Sequence, residues 1–290
     1  MESRFFAFTP RTLLRVTGDD RQSVLNNFFS NEMMDLDSGS GCEGFFPNEK
    51  GKINGHGFLF RDEDCFWVET EGRQGQAISE LISRFVITED IEFANAFDAD
   101  QAIVIFDPEM DEPNPRFELT ELGDQASRCF FGISDSPHFA GYHADKAVLE
   151  DIAGQLANRG YEKISGDSFE SFRIRNGMLK FGVDYSSDNL PQELDRDART
   201  ISFTKGCYLG QETIARLDAL GHVNQVIRPV EFDAANSVEL PLDLINESKR
   251  VARLTSFDSG TKHGIASVRV PHHKPGSEIQ LPQGNLVVAR

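Results

Sequence analysis

Apolar residues recur at two different spacings in the first hundred positions, and these spacings predict strands and helices in alternation. A short strand is predicted over residues 13–16. Asp19 follows it and is placed to cap a helix. The apolar face predicted for this helix consists of Val24, Leu25, Phe28 and Phe29.

Two further apolar runs, at 57–60 and 65–68, flank the charged stretch 61–64. This arrangement indicates a β-hairpin whose turn is the charged stretch. Residues 73–86 then place their apolar side chains at helical spacing, which predicts an amphipathic helix. The first part of the chain is therefore expected to form a βαββα-like unit.

A second unit of the same kind is predicted after residue 100. An apolar strand at 102–106 is followed by an acidic, proline-rich loop at 107–115 and by another strand at 129–133. A helix with apolar positions between residues 147 and 156 comes next, and Gly160 is placed to end it.

Beyond Gly221 the pattern changes to short apolar runs that are separated by turn residues and lack helical spacing. These runs are 226–232, 251–255 and 265–270. They predict a small β-barrel or a β-sandwich. We therefore expect an α+β fold in which a domain at 1–225, with two α/β subdomains at about 1–100 and 101–225, precedes a C-terminal β-barrel at 226–290.

Acidic residues dominate the charge of the chain. The 47 Asp and Glu residues exceed the 29 Lys and Arg residues and give a net charge of -18. Such a charge repels phosphate backbones and anionic lipid headgroups, so neither nucleic acid nor a membrane is an expected partner. No apolar run approaches the length of a membrane span, and no cleavable leader is evident at the N-terminus. A cytoplasmic location is predicted.

The cysteines and histidines do not have the spacing of a metal site. Cys42, Cys65, Cys129 and Cys207 are far apart and form no Cys-x-x-Cys pair. The histidines at 138, 143, 272 and 273 lack accompanying ligands and are expected to be solvated. We therefore expect a reducing compartment and no permanently bound metal.

The segment 201–217 differs from ordinary scaffold sequence. A β-like run leads to a Gly-Cys-Tyr corner, and a helix begins near Gln211. Gly206 and Gly210 permit backbone angles that other residues resist, which predicts a tight turn at Cys207.

Two interpretations of Cys207 are open at this point. Lys205 and the N-terminus of the following helix both favour the thiolate, the reactive form of cysteine, whereas Glu212 opposes it. Alternatively, Cys207 is a buried small apolar side chain, as isolated cysteines usually are.

This motif resembles that of a known family. KGCYLGQETIARL at 205–217, with PQELD at 191–195 and GHVNQ at 221–225, resembles the signature of YgfZ-type folate-binding proteins. Those proteins belong to the superfamily of the glycine-cleavage T-protein. Weaker similarity to the superfamily's first helix, central strand turn and final barrel is found at 16–36, 48–60 and 252–257.

The resemblance implies a T-protein-like fold, tetrahydrofolate as cofactor, and a role in assembling or repairing iron–sulfur clusters. Its implied partners are folate and iron–sulfur enzymes or their assembly machinery. Cys207 and Lys205 become the candidate catalytic residues. The candidate folate-binding residues are Gly206, Tyr208, Gly210, Gln211, Glu212, Asn54 and Arg175.

Two positions depart from the family pattern. T-proteins carry an aspartate that assists aminomethyl transfer in the turn at 53–56, where this chain offers Asn54 and His56. A neutral amide cannot act as a general acid or base. Relatives often place a glutamate that pairs with the pterin where this chain has Arg175, and an arginine only donates hydrogen bonds.

Three hypotheses follow. The first is a non-enzymatic, tetrahydrofolate-binding accessory protein for iron–sulfur cluster assembly or repair, in which the Cys207 thiolate ligates iron or forms a mixed disulfide. The second is a folate-dependent aminomethyl or one-carbon transferase. The third is a non-catalytic scaffold that has lost folate binding, for which Arg175 is the motivating residue.

Overall fold

The structure is a computed structural model that describes residues 4–72, 74–99, 101–110, 118–121, 126–130, 138–221, 223–236 and 238–289. The chain packs into two compact units, one of Met1–Gly166 with Ala198–Gln211 and one of Asp167–Asp197 with Glu212–Arg290. The predicted domains, 1–225 and 226–290, describe units that fold separately, and a division by packing does not define such units. The predicted domain limits stay a prediction. Within the described ranges, no helix is both long and apolar enough to cross a membrane.

In the part of the chain that the structure describes, the segment of the first unit up to residue 166 contains two sheets and three helices. Its strands are β1 (Phe5–Thr9), β2 (Arg11–Thr17), β3 (Gly41–Pro47), β4 (Ile53–Arg61), β5 (Phe66–Glu71), β6 (Glu92–Asn95), β7 (Ala102–Phe106), β8 (Glu118–Glu121), β9 (Ala126–Phe130), β10 (Phe139–Ala144) and β11 (Glu162–Lys163). Its helices are α1 (Arg21–Phe28), α2 (Gln74–Ser83) and α3 (Lys146–Asn158). One sheet has the order β11-β1-β7-β10-β9-β8 and the other β3-β4-β5-β2-β6.

Each sheet of the first unit is covered on one face by helices. Leu25 of α1 and Ile78 of α2 pack with Leu59 and Val68 on the β3–β6 sheet, and all four are fully buried. Leu149 of α3 is fully buried against the other sheet. Burial of these apolar faces is the main favourable contribution to the fold.

The second unit is built around a six-stranded antiparallel sheet in the order β13-β14-β15-β12-β17-β16. The strands are β12 (Gln225–Ala234), β13 (Leu242–Asn246), β14 (Lys249–Asp258), β15 (His263–Arg269), β16 (Glu278–Leu281) and β17 (Gly284–Val288). The two edge strands, β13 and β16, approach each other, so the sheet is a nearly closed barrel. Its interior is apolar, with Phe232, Leu244, Leu254 and Leu286 fully buried.

The remaining helices connect these sheets. They are α4 (Gly166–Arg175), a 3₁₀ helix (Pro191–Leu194), α5 (Asp197–Thr200) and α6 (Gln211–Leu220). Within the second unit, α4 is fixed to the barrel by the buried Arg173, which donates to Asp184 Oδ2 at 2.6 Å and to Ser256 Oγ at 2.8 Å. Ser256 lies on β14 and donates in turn to Asp184 Oδ1 at 2.6 Å.

These observations confirm the α+β class and the C-terminal barrel. The predicted hairpin at 57–68 is β4 and β5, and the predicted helix at 73–86 is α2. The end of the acidic loop, from 111 to 115, and the end of the strand at 129–133 lie outside the described residues.

Three sequence predictions are wrong in detail. Asp19 does not cap α1, because Asp20 occupies the N-cap position and its carboxylate instead accepts a bond from the Asp90 N–H at 2.8 Å. The strand β3 was missed, since its glycines and Glu43 weaken the apolar pattern. His143 is buried on β10 rather than solvated.

A buried ion pair lies between neighbouring strands of the β3–β6 sheet and is approached by a histidine of the other sheet. Arg11 on β2 donates to both carboxylate oxygens of Glu69 on β5, with Nη2 at 2.6 Å from Oε2. His143 Nε2 of the other sheet lies 3.3 Å from Glu69 Oε1. Burial alone would raise the pKa of Glu69, but the Arg11 guanidinium outweighs it and lowers that pKa to about 2.

Replacing Glu69 by glutamine should therefore destabilise the first unit. The substitution removes the carboxylate charge that faces the buried Arg11 guanidinium, and breaking a buried ion pair in this way typically costs about 3–5 kcal/mol. Urea unfolding at pH 7 measures this loss, and Glu63→Gln, in the exposed hairpin turn, is the matched control. Equal stability of the two variants would contradict the role given to the ion pair.

Candidate functional site

The corner that carries Cys207 is an irregular segment, residues 201–210, between α5 and α6. The β-like run predicted at its start is not a strand. Its backbone bonds instead to the end of α1 and the residues that follow, because the Ser202 N–H donates to the Ser30 carbonyl at 2.9 Å. The Leu209 N–H donates to the Asn27 carbonyl at 2.8 Å.

Lys205 holds the corner against the C-terminal end of α1. Its ammonium donates to the carbonyls of Asn26 at 3.0 Å, Phe29 at 2.8 Å and Asn31 at 2.8 Å. A helix end leaves carbonyls without intrahelical partners, and a cation is favoured there by the helix dipole. Burial lowers the pKa of Lys205 to about 8.

The three bonds of Lys205 account for all three of its N–H donors. The structure thus assigns this side chain a positioning role for the segment on which Cys207 lies. That Lys205 also favours the Cys207 thiolate stays a prediction.

Tyr208 and Gly210 fix the far side of the corner. Tyr208 is buried, its ring lies 5.5 Å from the Lys205 ammonium, and burial raises its pKa to about 12. Gly210 has a φ of +78°, and a Cβ there would lie 2.4 Å from the Asn48 carbonyl oxygen. Gly210 therefore tolerates no side chain, since both the angle and the close backbone approach require glycine.

The same requirement does not hold at Gly206. Its φ lies outside the left-handed region and a Cβ would meet nothing within 4 Å. The prediction that Gly206 is needed for its backbone angle is wrong. The tight geometry at Cys207 comes from Lys205 and Gly210 instead.

Cys207 itself is a free, exposed thiol. Its interpretation as a buried apolar side chain is therefore wrong. Burial raises the pKa of the Cys42 thiol to about 12 and also raises the pKa of the Cys65 thiol. Among the three cysteines whose side chains are described, Cys207 is the one that solvent and a partner can reach.

Two polar residues that were not predicted from the sequence, Ser30 and Asn31, bond to the residues directly before the corner. Ser30 donates to the Thr200 carbonyl at 2.5 Å and accepts from the Phe45 N–H at 2.8 Å. Asn31 donates to the carbonyls of Glu43 at 2.9 Å and Arg199 at 2.7 Å. The available signal was a Ser-Asn pair directly after the apolar Phe28-Phe29.

The strand turn that carries Asn54 is occupied by structural contacts. Asn54 Nδ2 donates to the Ala77 carbonyl on α2 at 2.9 Å. His56 Nε2 lies 2.8 Å from Oε1 of the buried Glu43, and its ring stacks on Phe45 with centroids 4.8 Å apart. The second carboxylate oxygen of Glu43 lies 3.4 Å from Arg199 Nε.

The other predicted site residues are not all in one unit. Gln211 begins α6 directly after the corner, and its N–H donates to the Tyr208 carbonyl at 3.2 Å. Glu212, exposed in the first turn of α6, is assigned to the second unit. Arg175 belongs to the second unit too, exposed at the end of α4 with its guanidinium 5.9 Å from the Phe172 ring.

Metal ligands do not gather in the part of the chain that the structure describes: no group of three or more His, Cys, Asp or Glu side chains there could hold an ion.

The chain is similar to several known proteins. A tRNA-modifying protein YgfZ of Colwellia psychrerythraea is 41% identical over 78 residues, which is 27% of this chain and 23% of that protein. A mitochondrial iron-sulfur cluster assembly factor IBA57 homologue of Mycosarcoma maydis is 23% identical over 242 residues, 78% of this chain and 57% of that protein. Both alignments span less than two-thirds of the relative. No family model matches the chain.

The fold is also found among solved structures. The crystal structure of the glycine cleavage system aminomethyltransferase T of Bartonella henselae superimposes with a TM-score of 0.83 at 15% identity. The match covers 99% of this chain and 85% of that one. The predicted T-protein-like fold is thereby confirmed.

Lys205→Met should loosen the corner without unfolding the protein. The substitution leaves three carbonyls without their donor, and we expect the local opening free energy to fall by about 2 kcal/mol. Amide hydrogen exchange at Ser202 and Leu209 would then be roughly thirty-fold faster. Lys146→Met, exposed at the start of α3, is the control, and unchanged exchange in Lys205→Met would refute the positioning role.

Proposed function

We propose that the chain is a protein of the YgfZ and IBA57 type and that it acts as an accessory factor in the assembly or repair of iron–sulfur clusters. The observation that carries this proposal is the exposed Cys207 thiol on a rigid corner. Thiolates are the usual protein ligands of iron–sulfur clusters. In our proposal Cys207 ligates cluster iron transiently, and a partner of the assembly machinery supplies the other ligands.

A rigid corner suits this role. The backbone around Cys207 is fixed by the Lys205 bonds on one side and by the Gly210 contact with Asn48 on the other. A thiol on such a support loses little conformational freedom when it binds a metal that another molecule holds. Because the Cys207 thiol is exposed, a cluster held by a partner protein can approach it while this chain and the partner both remain folded.

Direct action on tRNA, which the name of one relative suggests, is the less favoured role. The net charge of -18 opposes the approach of a phosphate backbone. We propose that any effect of this protein on nucleic acid is exerted through an iron–sulfur enzyme. The predicted partners are therefore the assembly machinery and its client enzymes.

Tetrahydrofolate is the proposed cofactor, and the first unit offers it two cationic side chains. The loop 48–52 packs against Gly210 and carries Lys50 and Lys52, whose charge suits an anionic tail. At the pterin end, Arg175 offers donors where relatives offer a carboxylate. Folate binding is thus proposed through residues other than Arg175.

A folate-dependent transferase is the second candidate, because His56 and Glu43 form a hydrogen-bonded pair on the strand turn where T-proteins carry their aspartate. A histidine oriented by a carboxylate is a common acid–base arrangement. Asn54 cannot take that part, being an amide bonded to α2. Turnover of an aminomethylated donor with tetrahydrofolate would identify this function.

Loss of the Cys207 thiol should abolish support of cluster enzymes. We expect Cys207→Ala to reduce cluster-enzyme activity in cells lacking the native protein at least tenfold, at unchanged protein level. Thr204→Ala, exposed on the same corner, is the matched control. Full activity of Cys207→Ala would contradict the proposal.

Folate binding can be tested directly by isothermal calorimetry with tetrahydrofolate. We expect micromolar binding by the unaltered protein and at least equal binding by Arg175→Glu, since a carboxylate pairs with the pterin edge. Arg159→Glu, exposed beyond α3, controls for the change of charge. If neither the unaltered protein nor Arg175→Glu binds, the folate proposal fails.

A further inference from the structure

A cavity of about 440 Å³ lies within the second unit, beside α6 and the barrel strand β12. Part of its wall is apolar and consists of Leu217, Val223, Val226 and Val270. This volume is within the usual range for small-molecule sites, which combine an apolar wall with a few polar groups.

Four side chains that line this cavity carry a buried polar atom without a hydrogen-bond partner in the described parts of the chain. These atoms are Gln192 Oε1, Asp197 Oδ1, Arg228 Nε and His273 Nδ1. Gln192 is 8% exposed, and its Nε2 donates to the Ile214 carbonyl at 2.8 Å, which fixes the amide. Unsatisfied buried atoms are costly and scarce, so four around one cavity indicate a missing partner.

Charges of both signs surround the cavity. Burial, followed by the negative charges of Asp195 and Asp218, raises the pKa of Asp197 to about 6. Arg228 forms an ion pair with Asp195 and still has Nε without a partner. Lys274 also lines the wall.

His273 is the fourth residue of the wall that carries a buried polar atom without a partner in the described residues. Burial, and then the neighbouring Arg228 and Lys274, lower the pKa of its imidazole, so the ring is neutral at pH 7. His273 lies in a turn and is half-buried, and its Nδ1 is shielded from solvent.

We propose that this cavity binds a small zwitterion with an apolar side chain, of the class of a free α-amino acid. Its ammonium group would bond Asp197 and Gln192, its carboxylate Arg228, and its side chain would pack on the apolar wall. A simple anion would leave the acceptors unsatisfied, and a simple cation would leave the arginine donor unsatisfied. This site goes beyond the iron–sulfur role and shares no residue with the Cys207 corner.

Calorimetry with L-leucine and two truncated analogues tests the proposal. 3-Methylbutylamine keeps the ammonium group alone, and 4-methylpentanoate keeps the carboxylate alone. We expect leucine to bind at least tenfold more tightly than either analogue. Absence of leucine binding would mean that water alone fills the cavity, and it would overturn the proposal. Equal affinity of leucine and one of the analogues would also overturn it.

Leucine affinity is also compared between Asp197→Asn, which alters the site, and a control variant of the same unit that does not. We expect leucine affinity to fall at least tenfold, whereas Asp233→Asn, exposed on β12 in the same unit, should bind normally. Unchanged leucine binding in Asp197→Asn would overturn the assignment.

The stability of Asp197→Asn supplies a second measurement. The groups that act on this carboxylate are Asp195 and Asp218, which raise its pKa, and its own N–H, which lowers it. Because the folded pKa lies above the unfolded value, ionisation of Asp197 begins to oppose folding as the pH rises through the unfolded value and opposes it fully above about pH 6. The variant should therefore melt at a higher temperature than the unaltered protein at pH 8 and at an equal temperature near pH 3. A lower melting temperature at pH 8 would show that Asp197 supports the fold rather than a ligand.

Tetrahydrofolate must also be excluded as the occupant. Leucine binding should be unchanged in the presence of saturating tetrahydrofolate. If tetrahydrofolate abolishes leucine binding and Asp197→Asn binds neither, the cavity belongs to folate and the amino-acid site is refuted.

Discussion

The contact between the Lys205 ammonium and three carbonyls at the end of α1 is the interaction on which the candidate site depends. One charged group gathers the unpaired acceptors of a helix end and fixes a segment nearly 180 residues away in sequence. Without it, the irregular stretch 201–210 would rely on a few backbone bonds. With it, Cys207 is held in place although no strand or helix contains it.

Much of this architecture could be predicted from sequence because it follows from periodic burial. The helices α2 and α3 and the barrel strands repeat their apolar residues at fixed spacings, and the structure confirms them. The strand β3 has no such pattern, since glycine at position 44 is needed beneath the Phe29 ring and Glu43 is a buried polar residue.

The candidate site was predictable in composition but not in geometry. The motif identified Cys207, but the exposure of its thiol and the true partners of Lys205 depend on contacts with residues 26–31. Spacing along the chain contains no information about such pairings. Gly206 and Gly210 look equivalent in the sequence, although only Gly210 meets another backbone.

The contact of Gly210 with the turn at Asn48 has a consequence for the tolerance of the chain to insertions. A longer turn between β3 and β4 would push into the backbone beside Cys207, so natural or engineered insertions there would displace the thiol. The tip of the hairpin between β4 and β5, at Glu63 and Asp64, is exposed, and a fluorescent label or an affinity tag would be accommodated there.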